Sequence, residues 1–148
     1  MAVKLIASDL DGTLLTNKKE LSPRTREALD LAAAQGIYLV PATGRSFESV
    51  PEMIREYPGV EYLITANGGA VYSVSEKKRI YQCLMTPESV EAAIAVRKRE
   101  KMVMEVVIDG VPYAEEDYVR DPLSYLATEY GARYIKATRT PVKDIIEF

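Results

Sequence analysis

Apolar and polar positions alternate in short blocks along the first half of the chain. The run Val3-Lys4-Leu5-Ile6-Ala7 reads as a buried strand, and residues 23–35 carry apolar positions at helical spacing, with Leu29, Ala32 and Ala33 as the inward stripe. Ser22 can cap that helix, Pro23 suits its first turn and Gly36 stops it. The block Ile37-Tyr38-Leu39-Val40 follows as a second strand. Strand, helix, strand in this order implies a parallel pair. A second helix is expected from Ser46 or Ser49 through Tyr57, with Pro51 disturbing its start, and Tyr62-Leu63-Ile64-Thr65 reads as a third parallel strand. Asn67-Gly68-Gly69 is a turn, and Ala70 to Ser73 with Arg79 to Leu84 reads as a hairpin.

The pattern changes at Thr86. Thr86 and Pro87 open a helix running to about Lys101, and strands Met102 to Asp109 and Pro112 to Ala114 flank Gly110-Val111. A helix over Pro122 to Glu129 and a strand at Arg133-Tyr134-Ile135-Lys136 complete the expectation. The division falls near residue 85, giving regions 1–85 and 86–148.

Chemistry enters at the end of the first strand, in Asp9-Leu10-Asp11-Gly12-Thr13-Leu14. In extended backbone, residues i and i+2 point the same way, so Asp9 and Asp11 can face one small volume. Two carboxylates that close together call for a cation, and Mg2+ takes oxygen ligands from one or two carboxylates plus substrate phosphate. Against this, Asp-Gly between apolar runs is also the strongest short-range hairpin signal. The hexapeptide alone leaves both readings open. The strand-helix-strand context favours a site, because ligands bind beyond the carboxyl ends of parallel strands. The second strand also ends in polar groups, Ala42-Thr43-Gly44-Arg45.

These segments resemble the haloacid dehalogenase superfamily, and within it the Cof-type phosphatases. Asp9 to Leu15 is similar to the first motif, Ala42-Thr43-Gly44-Arg45 to the second, and Asn67-Gly68-Gly69-Ala70 to the Asn-Gly segment of the Cof group. The resemblance implies a partial doubly wound, Rossmann-like parallel sheet in 1–85 and the start of an inserted α/β cap in 86–148. It implies Asp9 as nucleophile forming an aspartyl-phosphate and Asp11 as acid and base. Thr43 and Gly44 then cradle the phosphoryl group, Gly12 lets the backbone turn close to it, and Asp9 and the Asp11 carbonyl hold Mg2+. Arg45 fits either a substrate phosphate or a core carboxylate, and Asn67 either a substrate contact or a turn. No third motif with its Lys and no fourth with its acidic pair is found up to Phe148; Lys136 and Lys143 match neither. The expectation is an N-terminal portion that binds Mg2+ weakly, lacks full activity alone and self-associates through an exposed sheet edge.

Composition narrows the alternatives. The 148 residues hold 47% hydrophobic and 28% charged residues at a net charge of -3, which fits a globular domain and offers no basic face for nucleic acid. Histidine is absent, so acid-base work falls to carboxylates, and one cysteine, Cys83, excludes an internal disulfide and reads as a small packed residue. The short apolar start, broken by Asp9, reads as a core strand and not a signal peptide, and no stretch suits a membrane, so a cytoplasmic location is expected. Glu115-Glu116-Asp117 reads as a solvated loop. The expected activity is hydrolysis of a small phosphorylated metabolite such as a sugar or nucleotide phosphate. Phosphate-ligand binding without turnover and a sugar phosphomutase are the alternatives.

Overall fold

The computed structural model describes residues 2–100 and 102–147, which form two compact units, Met1–Cys83 and Leu84–Phe148. In the first unit, β1 (Leu5–Asp9), β2 (Tyr38–Ala42), β3 (Tyr62–Thr65), β4 (Ala70–Ser73) and β5 (Lys78–Gln82) lie side by side in sequence order. The pairs β1-β2 and β2-β3 are parallel, whereas β4 and β5 join as antiparallel neighbours. Helix α1 (Pro23–Ala34) makes the first crossover, with Ser22 accepting from the Thr25 amide at 3.1 Å and Gly36 at φ +71°. Leu29, Ala32 and Ala33 of α1 pack into the core with Leu10, Leu39, Ile54 and Leu63.

Pro41 sits on the interior strand β2, where proline normally breaks a ladder. Here the cost is confined to one side. The Leu39 amide donates to Gly59 and the Thr43 amide to Ile64, both at 2.9 Å, and the position between them, facing the same neighbour, is Pro41. The missing donor explains why β2 meets the segment leading into β3 at Leu39 and β3 itself at Ala42, and neither at Pro41.

Three expectations change in this unit. Cys83, expected to pack, is exposed just past β5, the edge strand opposite β1. β1 is not buried, because it is the sheet's edge and has a single neighbour, leaving Leu5 49% and Ile6 38% exposed. The helix expected through Tyr57 is divided by Pro51 into a 3-10 turn at Phe47–Ser49 and a four-residue helix, α2 (Glu52–Arg55).

The second unit holds α3 (Pro87–Glu100), then β6 (Glu105–Ile108), β7 (Val111–Glu115) and β8 (Thr140–Val142), with β6-β7 antiparallel and β7-β8 parallel. Its core forms around Ala114, Tyr118 and Ile135. Glu115-Glu116-Asp117 is not a loop: Glu115 ends β7 and pairs with Arg97 at 2.6 Å, and the other two open α4 (Glu116–Arg120). The strand expected at 133–136 is helical, part of α5 (Glu129–Thr138), whose Thr128 cap accepts from the Gly131 amide at 3.1 Å. Ala132 and Ile135, three residues apart, are its buried stripe. The helix expected over 122–129 is a 3-10 turn at Pro122–Ser124. Lys101, the expected end of α3, lies outside the described residues. Among the described residues no helix is long and apolar enough to cross a membrane.

Candidate active site

The carboxyl ends of β1, β2 and β3 bring three segments to one edge of the first sheet. Asp9 stands in register with Ala42, and Ala42 with Ile64, so the residues that follow each strand share that edge. Leu10 is fully buried between exposed Asp9 and Asp11, as alternation requires. Apolar burial of Leu10 therefore holds the two carboxylates on the solvent side. Past Asp11 the chain turns through Gly12 at φ +83°, a left-handed conformation that favours glycine, and a Cβ there would meet nothing within 4 Å.

Asp11 is the most heavily engaged acid of this edge. Arg45 donates to it in a fork, Nε to Oδ2 at 2.8 Å and NH2 to Oδ1 at 2.7 Å, and Lys19 Nζ reaches Oδ1 at 2.6 Å. The Arg45 hydrogen bond, followed by that of Lys19, outweighs partial burial and holds the Asp11 carboxyl down at about 2. At neutral pH Asp11 is thus a carboxylate, the form that accepts a proton. Arg45 is itself anchored: its NH1 donates to the Ser49 carbonyl at 3.0 Å, and its backbone amide donates to Thr43 Oγ1 at 3.2 Å. Of the two roles open to Arg45, the contact with a core carboxylate is the one observed. Asp9 is exposed and accepts from Thr13 Oγ1 at 3.3 Å.

Thr43 is buried, its amide bonded to Ile64 and its carbonyl accepting from the Asn67 amide at 3.2 Å. Asn67 adopts a left-handed conformation at φ +54° and lays its side chain on Gly44, where a Cβ would come within 2.7 Å of Asn67 Oδ1. Gly44 leaves room for the Asn67 side chain in this position, which a Cβ would displace. Turn and site roles of Asn67 are therefore compatible, because the turn is what carries its amide to Gly44.

Sequence reasoning missed Lys19 and Thr13. The signal for Lys19 was present: polar residues 16–20 lie between Leu15 and Leu21, which form an antiparallel bridge and are both buried. As a cation site the edge offers Asp9 and Asp11, oxygen donors suited to a hard ion. Among the described residues no group of three or more His, Cys, Asp or Glu gathers anywhere, so the donor set fits Mg2+ only in part.

The family model of haloacid dehalogenase-like hydrolases matches residues 6–147. A HMP-PP phosphatase of Klebsiella pneumoniae is 35% identical over 107 residues, 72% of this chain and 39% of that protein. A 5-amino-6-(5-phospho-D-ribitylamino)uracil phosphatase of Bacillus subtilis is 39% identical over 70 residues, 47% of this chain and 28% of that protein. A haloacid dehalogenase-like hydrolase from Bacteroides thetaiotaomicron superposes with a TM-score of 0.72 at 26% identity, over 99% of this chain and 54% of that one. The chain thus spans about half the length of that solved relative and less of the two curated phosphatases.

Proposed function

The chain belongs to the haloacid dehalogenase-like hydrolases, and we propose that it is the nucleophile-bearing part of a Mg2+-dependent phosphatase acting on a small phosphorylated metabolite. Residues 1–85 are read as the N-terminal part of the catalytic core and 86–148 as part of a substrate-selecting cap. The observation that carries the proposal is the convergence of Asp9, Asp11, Thr43, Gly44 and Asn67 on one sheet edge.

In the proposed reaction a carboxylate oxygen of Asp9 attacks phosphorus while the bond to the leaving oxygen breaks, and that oxygen takes a proton that solvent water supplies and Asp11, a carboxylate at rest, relays. Water then attacks the phosphorus of the aspartyl-phosphate, the bond to Asp9 breaks, and Asp11 accepts the proton of the water. Splitting hydrolysis this way replaces one difficult step by two easier ones. Gly12 admits the phosphoryl group close to the backbone, Thr43 presents a hydroxyl, and Gly44 presents its main chain beside the Asn67 side chain. Asn67, which lies beside Gly44, is the proposed substrate contact. The Asp9 carboxylate and the Asp11 carbonyl would hold Mg2+, which would supply the positive charge that phosphoryl transfer requires.

A second reading, phosphate binding without turnover, is favoured by the absence of a third acidic donor among the described residues. Assaying the 148-residue chain with phosphate monoesters and Mg2+, beside its Asp9→Asn variant, separates the two. Turnover that disappears in the variant, with an unchanged melting temperature, supports hydrolysis. Phosphate binding by both proteins with turnover by neither supports the second reading, and turnover that survives the substitution rejects the nucleophile assignment.

A further inference from the structure

We propose that Lys19 is a positioning residue of this site, its ammonium acting with the Arg45 fork to hold the Asp11 carboxylate in one orientation. The inference rests on the phosphatase reading for its effect on rate, but not for the clamp itself.

The loop that carries Lys19 is fixed at its base by the core. Leu15 and Leu21, 3% and 7% exposed, bridge each other, the Thr16 amide donates to the Glu20 carbonyl at 2.9 Å, and the Lys19 amide donates to the Thr16 carbonyl at 2.8 Å. At its tip Lys19 stands at φ +63°. A left-handed conformation is unfavourable for a residue bearing a Cβ, and the chain has Asn17, a residue that tolerates this conformation, two positions earlier. The strained position is nevertheless occupied by the lysine whose ammonium lies 2.6 Å from Asp11.

Stability does not account for this arrangement. The pair is partly exposed, with side chains 29% and 36% accessible, and ion pairs so open to solvent add little to stability. That at most offsets the backbone strain. Nor is Lys19 needed to satisfy Asp11, since Arg45 already engages both carboxylate oxygens. What the second cation adds is geometric: Oδ1 is gripped from two loops, one after β2 and one after β1, so rotation of the carboxylate would break contacts on both sides. Backbone strain retained next to a reacting group points to function.

Lys19→Gly separates the roles, because glycine relieves the left-handed strain while deleting the ammonium, and Lys19→Arg restores the charge. The three proteins are compared, as full 148-residue chains, in melting temperature and in Mg2+-supported hydrolysis of p-nitrophenyl phosphate. Its good leaving group needs little protonation, so the assay reports chiefly on the water step. The expected result is a melting temperature unchanged or raised in Lys19→Gly, kcat lowered about tenfold or more with KM within about twofold, and substantial recovery in Lys19→Arg. Unchanged kcat in Lys19→Gly overturns the proposal. If the wild-type chain shows no turnover, the hydrolysis reading fails for this chain and the clamp is judged by the 15N signal of the Lys19 ammonium. A signal protected from exchange in the wild type and lost in Asp11→Asn upholds it, and an unprotected signal in the wild type overturns it.

Discussion

The dipeptide Asp-Gly occurs twice in this chain and does two different things. Asp109 and Gly110 lie between β6 and β7, both at positive φ, +51° and +88°, with Ile108 and Val111 paired across the turn. This is the two-residue hairpin the dipeptide favours. At Asp11 and Gly12 only the glycine is left-handed, and β1 pairs not with the residues immediately after the turn but with β2, across a helix. Strand context and not the dipeptide decides. A hairpin sends its second strand back at once to pair with the first, whereas a parallel crossover carries the chain away and leaves polar groups at the strand's open end. The same two residues thus close a ladder in one unit and furnish a candidate site in the other.

The contrast can be broken first at the acids. Asp11→Asn is expected to lower turnover about 10²–10⁴-fold, the usual contribution of a positioned acid-base group, while Asp109→Asn leaves turnover and melting nearly unchanged, because Asn suits the same turn. Parallel assays of the two variants decide it, and equal losses would dissolve the distinction. The glycines give a smaller effect. Gly12→Ala and Gly110→Ala should each cost about 1–2 kcal/mol in urea unfolding, since both residues are left-handed, but only Gly12→Ala should also reduce turnover.

How much of this could be read from the residues follows the same line. The Ser22 cap, the first two strands, which run two residues past the expected ends at Ala7 and Val40 to Asp9 and Ala42, and the reversal at Asn67 were legible because each depends on a few neighbouring residues with one strong local preference. The hairpin turn was placed at Gly110-Val111, one residue late, although Asp109-Gly110 carried the signal. Helix α5 was misread because Tyr134 and Ile135 favour strands and Gly131 weakens a helix, while the tertiary burial of Ala132 and Ile135 overrides both. The exposure of β1 was hidden because an apolar run reads as buried wherever it lies, and its place at the sheet's edge is set by topology. The Asp11 clamp joins residues 34 apart, and no local pattern reports a pairing of that length.

The smallest expected effect concerns acid. A carboxyl held at about 2, below its ordinary 3.8, stabilises the fold above the ordinary value, and this contribution is lost as pH falls from about 4 toward 2. Because the Asp11 side chain is 36% exposed, solvent screening limits the contribution to about 1 kcal/mol or less. Urea unfolding between pH 5 and 2 should therefore show a slightly steeper loss in the wild type than in Asp11→Asn. Asp109→Asn should follow the wild type.

The central claim is that the open end of β1 carries a phosphoryl-accepting carboxylate. Its most direct test is to mix the chain with Mg2+ and a phosphate monoester, quench in acid within the turnover time, and map the phosphorylated peptide by mass spectrometry. The account predicts one phosphoryl group on the peptide containing Asp9, absent from Asp9→Asn. Turnover with the phosphoryl group on another residue, or with none on the protein at all, would contradict it.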